Sequence, residues 1–254
     1  MSTPETVQPV PEPAPKGLSE PERIINIFFS PSKTFDDLRR SASWWLPFVI
    51  VSIFSAAFFF TIDKKVGFEQ VTQNQIAQSA KAQQALDKLS PEQRDAQLEM
   101  RAKGTKIFTE YVGWIFVLIV FLIVAAVLMA TFNFGFGAEV RFGTALAIVA
   151  FAWLPSILKS GIGIITLFAG SDPESFNLNN PVATNIAAFM TPGQHPFLYG
   201  MAQMFDIFSI WIVFLLALGF SRNSKVKLGP AFAAVAVWYV LVCVAGASMA
   251  AALS

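Results

Sequence analysis

The chain has 254 residues, of which 54% are hydrophobic and only 14% charged, well below the roughly 25% charged residues of soluble domains. A formal net charge of +1 gives no long-range attraction to nucleic acid. With one cysteine, Cys243, and one histidine, His195, the sequence supports neither an intramolecular disulfide nor a His/Cys metal cluster. The composition predicts an integral membrane protein with no cofactor and no nucleic-acid partner.

The first 43 residues precede any long apolar run. Residues 1–18 are rich in proline and polar side chains and bury too little apolar area to fold, so we expect a disordered tail without the pattern of a cleaved signal peptide. Ser19 and Glu22 have the spacing of a capping box. Four apolar residues then recur on one helical face: Ile24, Ile25, Phe28 and Phe29. This pattern predicts a short helix lying on the cytoplasmic membrane surface.

A second short helical turn is predicted between Lys33 and Arg40. Its spacing directs Phe35 and Leu38 inward, and it directs the charged residues outward: Asp36, Asp37, Arg39 and Arg40. Residues 19–43 are therefore predicted to form cytoplasmic interfacial helices.

Five apolar runs follow, each near the roughly 20 residues that cross about 30 Å of hydrocarbon. They cover residues 44–62, 111–132, 144–168, 198–220 and 230–253. The fourth run contains Asp206, and residues 207–220 alone are too short to span. The sequence therefore predicts one continuous helix that takes Asp206 into the bilayer, within a membrane domain over residues 44–254.

The segment 63–110 between the first two runs is polar and rich in Gln, Ala and Leu. Ser90 and Gln93 form a second capping box with Pro91 at the first helical position, which predicts a helical hairpin outside the membrane. The hairpin is either a partner-binding arm or a solvated connector, and its thin apolar stripe favours the connector.

Lysine and arginine in the short loops indicate the orientation. Five precede Trp44, three lie in residues 221–229 and none lies in residues 169–197, which predicts a cytoplasmic N-terminus and an external C-terminus. The segment 63–110 goes against this bias with eight basic residues.

One basic residue lies well inside a predicted span, and this is Lys159 in the third. At about 1.5 Å per residue, Lys159 and Asp206 lie about 13 Å and 12 Å below the outer ends of their spans. A charge inside a bilayer costs several kcal/mol unless it is paired, so the two are predicted to meet near a kink at Pro155. The pair is either a lock between helices or a proton- or ion-coupled transport site, and the lack of an internal repeat favours the lock.

The remaining motifs carry no predicted chemistry. His195 lies in a Gly-Pro loop without a nucleophile that the sequence can nominate, so no catalytic site is predicted. Gly246 and Ala250, four residues apart in the last span, would allow close approach of a second helix and self-association.

Several stretches in order resemble the Yip domain family, whose eukaryotic members are Ypt/Rab-interacting proteins. They are FSPSKTF at residues 29–35, GFGAEVRFGTALAIVAFAWLPSIL at residues 135–158 and DIFSIWIVFLLALGFSR at residues 206–222. The resemblance runs from about Ile24 to the C-terminus and implies five spans with a cytoplasmic N-terminus. The long polar insert departs from typical eukaryotic members, which weighs against transferring their small-GTPase binding.

The sequence thus predicts an all-α protein with five transmembrane helices, located in a bacterial inner membrane. The predicted function is that of a non-enzymatic organising or adaptor protein of the Yip domain type. The competing prediction is a small-solute or ion transporter or channel component that uses the Asp206–Lys159 pair. Expected partners are the lipid bilayer and other membrane proteins, including a second copy of the chain.

Overall fold

The computed structural model describes residues 17–191 and 194–253, so that nearly all of the predicted tail lies outside the described residues. Within these ranges the chain forms twelve α-helices and no β-strand. In chain order they are α1 (Glu20–Phe29), α2 (Pro31–Asp37), α3 (Trp45–Lys65), α4 (Phe68–Ala77), α5 (Ala80–Asp87), α6 (Pro91–Ile107), α7 (Gly113–Phe136), α8 (Phe142–Ala152), α9 (Ser156–Phe168), α10 (Pro196–Met204), α11 (Ile207–Asn223) and α12 (Leu228–Leu253).

Four helical stretches are long and apolar enough to cross a membrane. They are Trp45–Lys65, Pro91–Phe136, Phe142–Phe168 and Leu228–Ala252, and a shorter apolar helix covers Ile207–Asn223. The second stretch joins α6 to α7 through a π-helical segment at Phe108–Val112. The all-helical membrane architecture agrees with the sequence prediction, while the stretch that contains Asp206 differs from it.

The predicted continuous fourth span is wrong, because the helix is interrupted at Phe205 and Asp206. The short α10 ends at Met204, and α11 begins at Ile207 with Asp206 as its N-cap. Aspartate is a far better N-cap than helix-interior residue, since its carboxylate accepts hydrogen bonds from the free N–H groups of the first turn.

The third predicted span is also divided. Its first half, α8, ends at Ala152, and a turn through Trp153 and Pro155 precedes α9. Proline lacks the N–H that a continuous helix needs and clashes with the preceding turn. At the predicted kink, the α-helical hydrogen bonding is broken by a turn with i→i−3 bonds, such as Ser156 N–H to the Trp153 carbonyl, within one helical stretch, and the buried Pro155 is the N-cap residue of α9.

Helices α1 and α2 form an antiparallel hairpin against the bundle. The predicted capping box is confirmed, since the Ser19 N–H donates to the Glu22 carboxylate at 2.7 Å and the Glu22 N–H donates to the Ser19 hydroxyl at 3.4 Å. The four apolar residues of the predicted face are divided between two environments. Ile24 and Phe28 pack against the bundle core, whereas Ile25 and Phe29 are 59% and 83% exposed.

The hairpin is held by a buried ion pair that the sequence analysis did not anticipate. Arg23 is 1% exposed, and its guanidinium lies 2.6 Å from a carboxylate oxygen of Asp37. Arg40 contacts the other oxygen of Asp37 at 3.0 Å. The outward orientation predicted for Asp37 is therefore wrong, because the buried guanidinium of Arg23 needs an opposite charge.

The hairpin docks on the end of α11. Phe35 is fully buried, and a Cβ added to Gly219 would lie 2.9 Å from its ring and 2.5 Å from Ile148 of α8. The Asn223 amide donates to the Phe35 carbonyl at 2.9 Å. Gly219 therefore allows α2, α8 and α11 to approach each other closely, and a side chain there would separate them.

The polar insert folds as three helices, α4 to α6, where a hairpin was predicted, and α4 packs on α6. The buried Asn74 amide donates to the carbonyls of Pro173 and Phe176, both at 2.8 Å. Phe68 and Val71 of α4 share an apolar cluster with Leu167 at the end of α9. The insert is thus docked on the loop that follows α9.

The Asp37 carboxyl makes the stability of the hairpin dependent on pH. Burial alone raises its pKa, but hydrogen bonds from Arg40 and Arg23 outweigh burial and hold the pKa below its ordinary value. A lowered folded-state pKa stabilises the protein above the unfolded pKa of about 3.9, and this stabilisation is lost as pH falls through the folded value.

We expect Asp37→Asn to lower stability at pH 7 by about 3 kcal/mol, as when a buried pair loses one partner. The difference from the unsubstituted protein should shrink as pH falls from the unfolded pKa of about 3.9 through the lower pKa of Asp37 in the folded protein. Thermal unfolding in detergent at several pH values measures both effects. The control is Asp36→Asn, because Asp36 is 48% exposed and should cost less than about 1 kcal/mol. Equal losses for the two variants would contradict the prediction.

Candidate functional site within the membrane helices

The site is centred on Asp206, whose backbone is extended (φ −103°, ψ 140°) at the junction between α10 and α11. Its side chain turns onto the start of α11, where one carboxylate oxygen accepts the N–H groups of Phe208 at 3.0 Å and Ser209 at 3.3 Å. Asp206 is 1% exposed. The helix break therefore places a desolvated carboxylate where free backbone donors and the positive end of a helix stabilise it.

Lys159 supplies the opposite charge from α9. Its ammonium nitrogen lies 3.2 Å from the second carboxylate oxygen of Asp206, and its side chain is 31% exposed. Lys159 stands one turn after the break at Pro155. The structure thus brings together the two residues that the sequence analysis matched by depth, and it places both beside helix breaks.

A loop segment completes the site. Thr184 and Asn185 run beside the α10–α11 junction, where Asn185 and Asp206 form an antiparallel bridge and the Ile207 N–H donates to the Thr184 carbonyl at 3.2 Å. The Thr184 hydroxyl donates a short hydrogen bond to the same carboxylate oxygen that Lys159 contacts. Sequence reasoning missed Thr184, since it lies in a loop without periodicity and 22 residues from Asp206.

Contacts with α12 show how far along the bundle the site lies. A Cβ added to Gly200 of α10 would lie 3.1 Å from Cα of Ala247, and the Met204 side chain covers Gly246. The Tyr239 hydroxyl donates to the Met204 carbonyl. Helices α10 and α11 therefore follow α12 one after the other, and their junction lies level with the middle of α12.

In these contacts, small residues of α12 pack against α10 of the same chain. The face of Gly246 that was predicted to allow self-association is covered by Met204 of α10. Close approach at a glycine is therefore used to pack α10 onto α12.

The chemistry of the site follows from its donors. One oxygen of Asp206 accepts two backbone N–H groups, and the other faces an ammonium and a hydroxyl. Both carboxylate oxygens therefore have hydrogen-bond or ion-pair partners, so that the buried group is not left unsatisfied. The arrangement links α9, the loop segment, α10 and α11 through one side chain.

Comparison with known proteins gives one match. A family model described as the Yip1 domain matches residues 25–249, which includes the second half of α1, all of α2 and the site around Asp206. Searches of curated proteins and of solved structures return no match.

We expect Asp206→Asn to destabilise the protein by leaving the Lys159 ammonium without its counter-charge, although asparagine keeps the capping geometry. The double variant Asp206→Asn/Lys159→Met should recover part of the loss, since it leaves no unpaired charge. Thermal unfolding of the single and double variants in detergent gives the coupling between the two residues.

The double variant Asp206→Ala/Lys159→Met separates the cap from the ion pair. Alanine cannot accept the N–H groups of Phe208 and Ser209, so this variant should be less stable than Asp206→Asn/Lys159→Met by about 0.5–2 kcal/mol. Equal melting of all single and double variants would show that the site does not hold the helices together.

Proposed function

The chain belongs to the Yip1 domain family, and on that basis we propose that it is a multi-pass membrane protein with an organising or adaptor role and no catalytic activity of its own. The observation that carries this proposal is the saturation of Asp206 by four donors from its own chain. Its intramembrane charge is engaged in joining helices, as a scaffold requires.

The proposed topology has five spans. The fourth in chain order is α10 followed by α11, since the two together run along α12, which at 26 residues is about 39 Å long. Residues 221–229, around the link between α11 and α12, carry three basic residues and the loop between α9 and α10 carries none, which supports a cytoplasmic N-terminus and an external C-terminus. A bacterial inner membrane is the proposed location, from the resemblance to bacterial members of the family.

The three-helix insert, α4 to α6, is the proposed partner-binding part. It is fixed to the bundle by Asn74 and by a contact from the Lys81 ammonium to the Ala252 carbonyl at 2.5 Å. Between α3, α4 and α6 lies a cleft of about 680 Å³ whose charged lining includes Asp63, Glu69 and Glu99. A polar cleft with charges of both signs is suited to bind a polar segment of another membrane protein. An insert that served only as a connector would need no such cleft.

One observation favours transport as the second candidate function. Both helices that carry the Asp206–Lys159 pair are broken beside it, and discontinuous helices surround the binding sites of many secondary transporters. In that case Asp206 would release Lys159 and bind a proton or a small ion in its place during each transport cycle.

The two functions predict different losses for Asp206→Asn/Lys159→Met. An adaptor keeps its partners as long as this variant folds, so crosslinking in intact membranes followed by mass spectrometry should recover the same neighbours. A transporter loses proton or solute flux in proteoliposomes. Retained crosslinks without any flux in the unsubstituted protein support the adaptor, and flux that this variant abolishes contradicts it.

Charge reversal in the cleft tests the proposed partner surface. Glu69→Lys/Glu99→Lys should reduce recovery of the crosslinked neighbour several-fold, because it reverses two charges of the lining without touching the membrane helices. The matched control is Glu92→Lys/Asp95→Lys, also on exposed positions of the insert but outside the cleft. Equal recovery with both pairs would exclude the cleft as the docking surface.

Accessibility of introduced cysteines tests the topology. In a Cys243→Ser background, Gln83→Cys should react with a membrane-impermeant thiol reagent added to intact cells. Lys225→Cys should react only after the membrane is opened. Reaction of Lys225→Cys in intact cells, with Gln83→Cys protected, would invert the proposed orientation.

A further inference from the structure

A cavity of about 470 Å³ lies among the membrane helices, next to the candidate site but separate from its charges. Its walls are Val124 and Leu128 of α7, Val213 and Leu216 of α11 and Val235 of α12. Trp153, at the break between α8 and α9, also lines it. The lining is almost wholly apolar, and the volume falls within the roughly 300–1,000 Å³ of small-ligand sites.

The cavity opens sideways between α7 and α12. The described contact that bridges these two helices is a hydrogen bond of 2.9 Å from the Trp238 indole N–H to the Thr131 hydroxyl. Thr131 lies beyond Leu128 toward the C-terminal end of α7, so this bond closes one end of the cavity. Ile123 and Val242, on either side of the opening, are 56% and 61% exposed. The free approach is thus from the hydrocarbon region, on the side of the N-terminal end of α7.

We propose that this cavity is a binding site for one acyl chain of a membrane lipid. Valine, leucine and isoleucine walls at mid-span offer no partner for a charged or strongly hydrogen-bonding ligand. An acyl chain is narrow, flexible and apolar, and it is present at this depth of the bilayer.

The size of the cavity distinguishes the acyl chain from other occupants. A helix from a second copy is about 10–12 Å wide with its side chains, so even two turns of it exceed the cavity volume. Residues 1–16 of the chain are polar and rich in proline, and burial of such a segment among valines would leave its backbone groups without partners.

The polar side chains at one end of the cavity restrict the position of the lipid acyl chain. Ser209 and Tyr239 line the part nearest the α10–α11 junction, and the Tyr239 hydroxyl is already engaged with the Met204 carbonyl. The acyl chain therefore packs along α7, α11 and α12 and ends against Trp153. A lipid held there lies against the helices that carry the break and fills space that would otherwise weaken their packing.

Quenching of tryptophan fluorescence by brominated lipids tests the proposal, because Trp153 lies on the cavity wall. The reporter protein carries Trp44, Trp45, Trp114 and Trp211 each replaced by Phe, and it retains Trp153 and Trp238. Subtracting the signal of the same protein with Trp153→Phe gives the emission of Trp153 alone. The protein is reconstituted in phosphatidylcholine vesicles with or without bromine on the acyl chains.

We expect brominated chains to quench Trp153, and we expect Val124→Phe/Val213→Phe, which fills the cavity, to abolish most of that quenching. The control Leu122→Phe adds a ring at an exposed position of α7 that does not line the cavity, and it should leave quenching unchanged. Absence of quenching, or equal quenching in the filled and control proteins, would overturn the proposal.

Native mass spectrometry of the unsubstituted protein gives a second measurement that needs no variant to fold. After extensive washing in detergent, the protein should retain one phospholipid, and added phospholipid should raise its melting temperature. A protein that keeps no lipid and gains no stability from it would also overturn the proposal. Disulfide crosslinks between two copies through Val124→Cys in a Cys243→Ser background would identify a second copy as the occupant instead.

Discussion

The Asp206 carboxylate is the contact on which the membrane part of the structure depends. A helix that breaks inside an apolar bundle exposes backbone groups that no water can satisfy, and each costs several kcal/mol. Asp206 meets this constraint by accepting the N–H groups at the start of α11 and by holding the Thr184 segment against the junction. Lys159 balances the charge from α9. The break, the loop that packs beside it and the neighbouring helix are thus held by one side chain.

At the opposite end of the bundle, a second buried ion pair joins two helices. The Arg23 guanidinium is buried under α1 and receives its counter-charge from Asp37 of α2. The resulting hairpin is docked by Phe35 at Gly219, near the end of the same α11 that Asp206 begins. Helix α11 is therefore fixed by a carboxylate at its start and by a packed aromatic ring near its end, which accounts for its position at the centre of the bundle.

Much of this architecture was predictable because apolar run length and capping residues act locally. The runs located the membrane helices, and the Ser19–Glu22 spacing gave the start of α1. Depth counting matched Lys159 to Asp206, since two charges in hydrocarbon need each other. The break at Asp206 was not predicted, because the length of an apolar run does not show whether one helix or two fill it. Thr184 and the burial of Arg23 depend on contacts between distant segments, which no local pattern in the sequence records.

The joined helix from Pro91 to Phe136 has a mechanical consequence. It is 46 residues long, about 69 Å of nearly continuous helix, and it joins the polar insert at one end to a wall of the apolar cavity at the other. The π-helical segment at Phe108–Val112 is a local widening of this rod, where the backbone hydrogen bonding changes register. A force applied to the insert would therefore be transmitted as a twist or tilt of α7, with the widened turn as the place where the rod bends most readily.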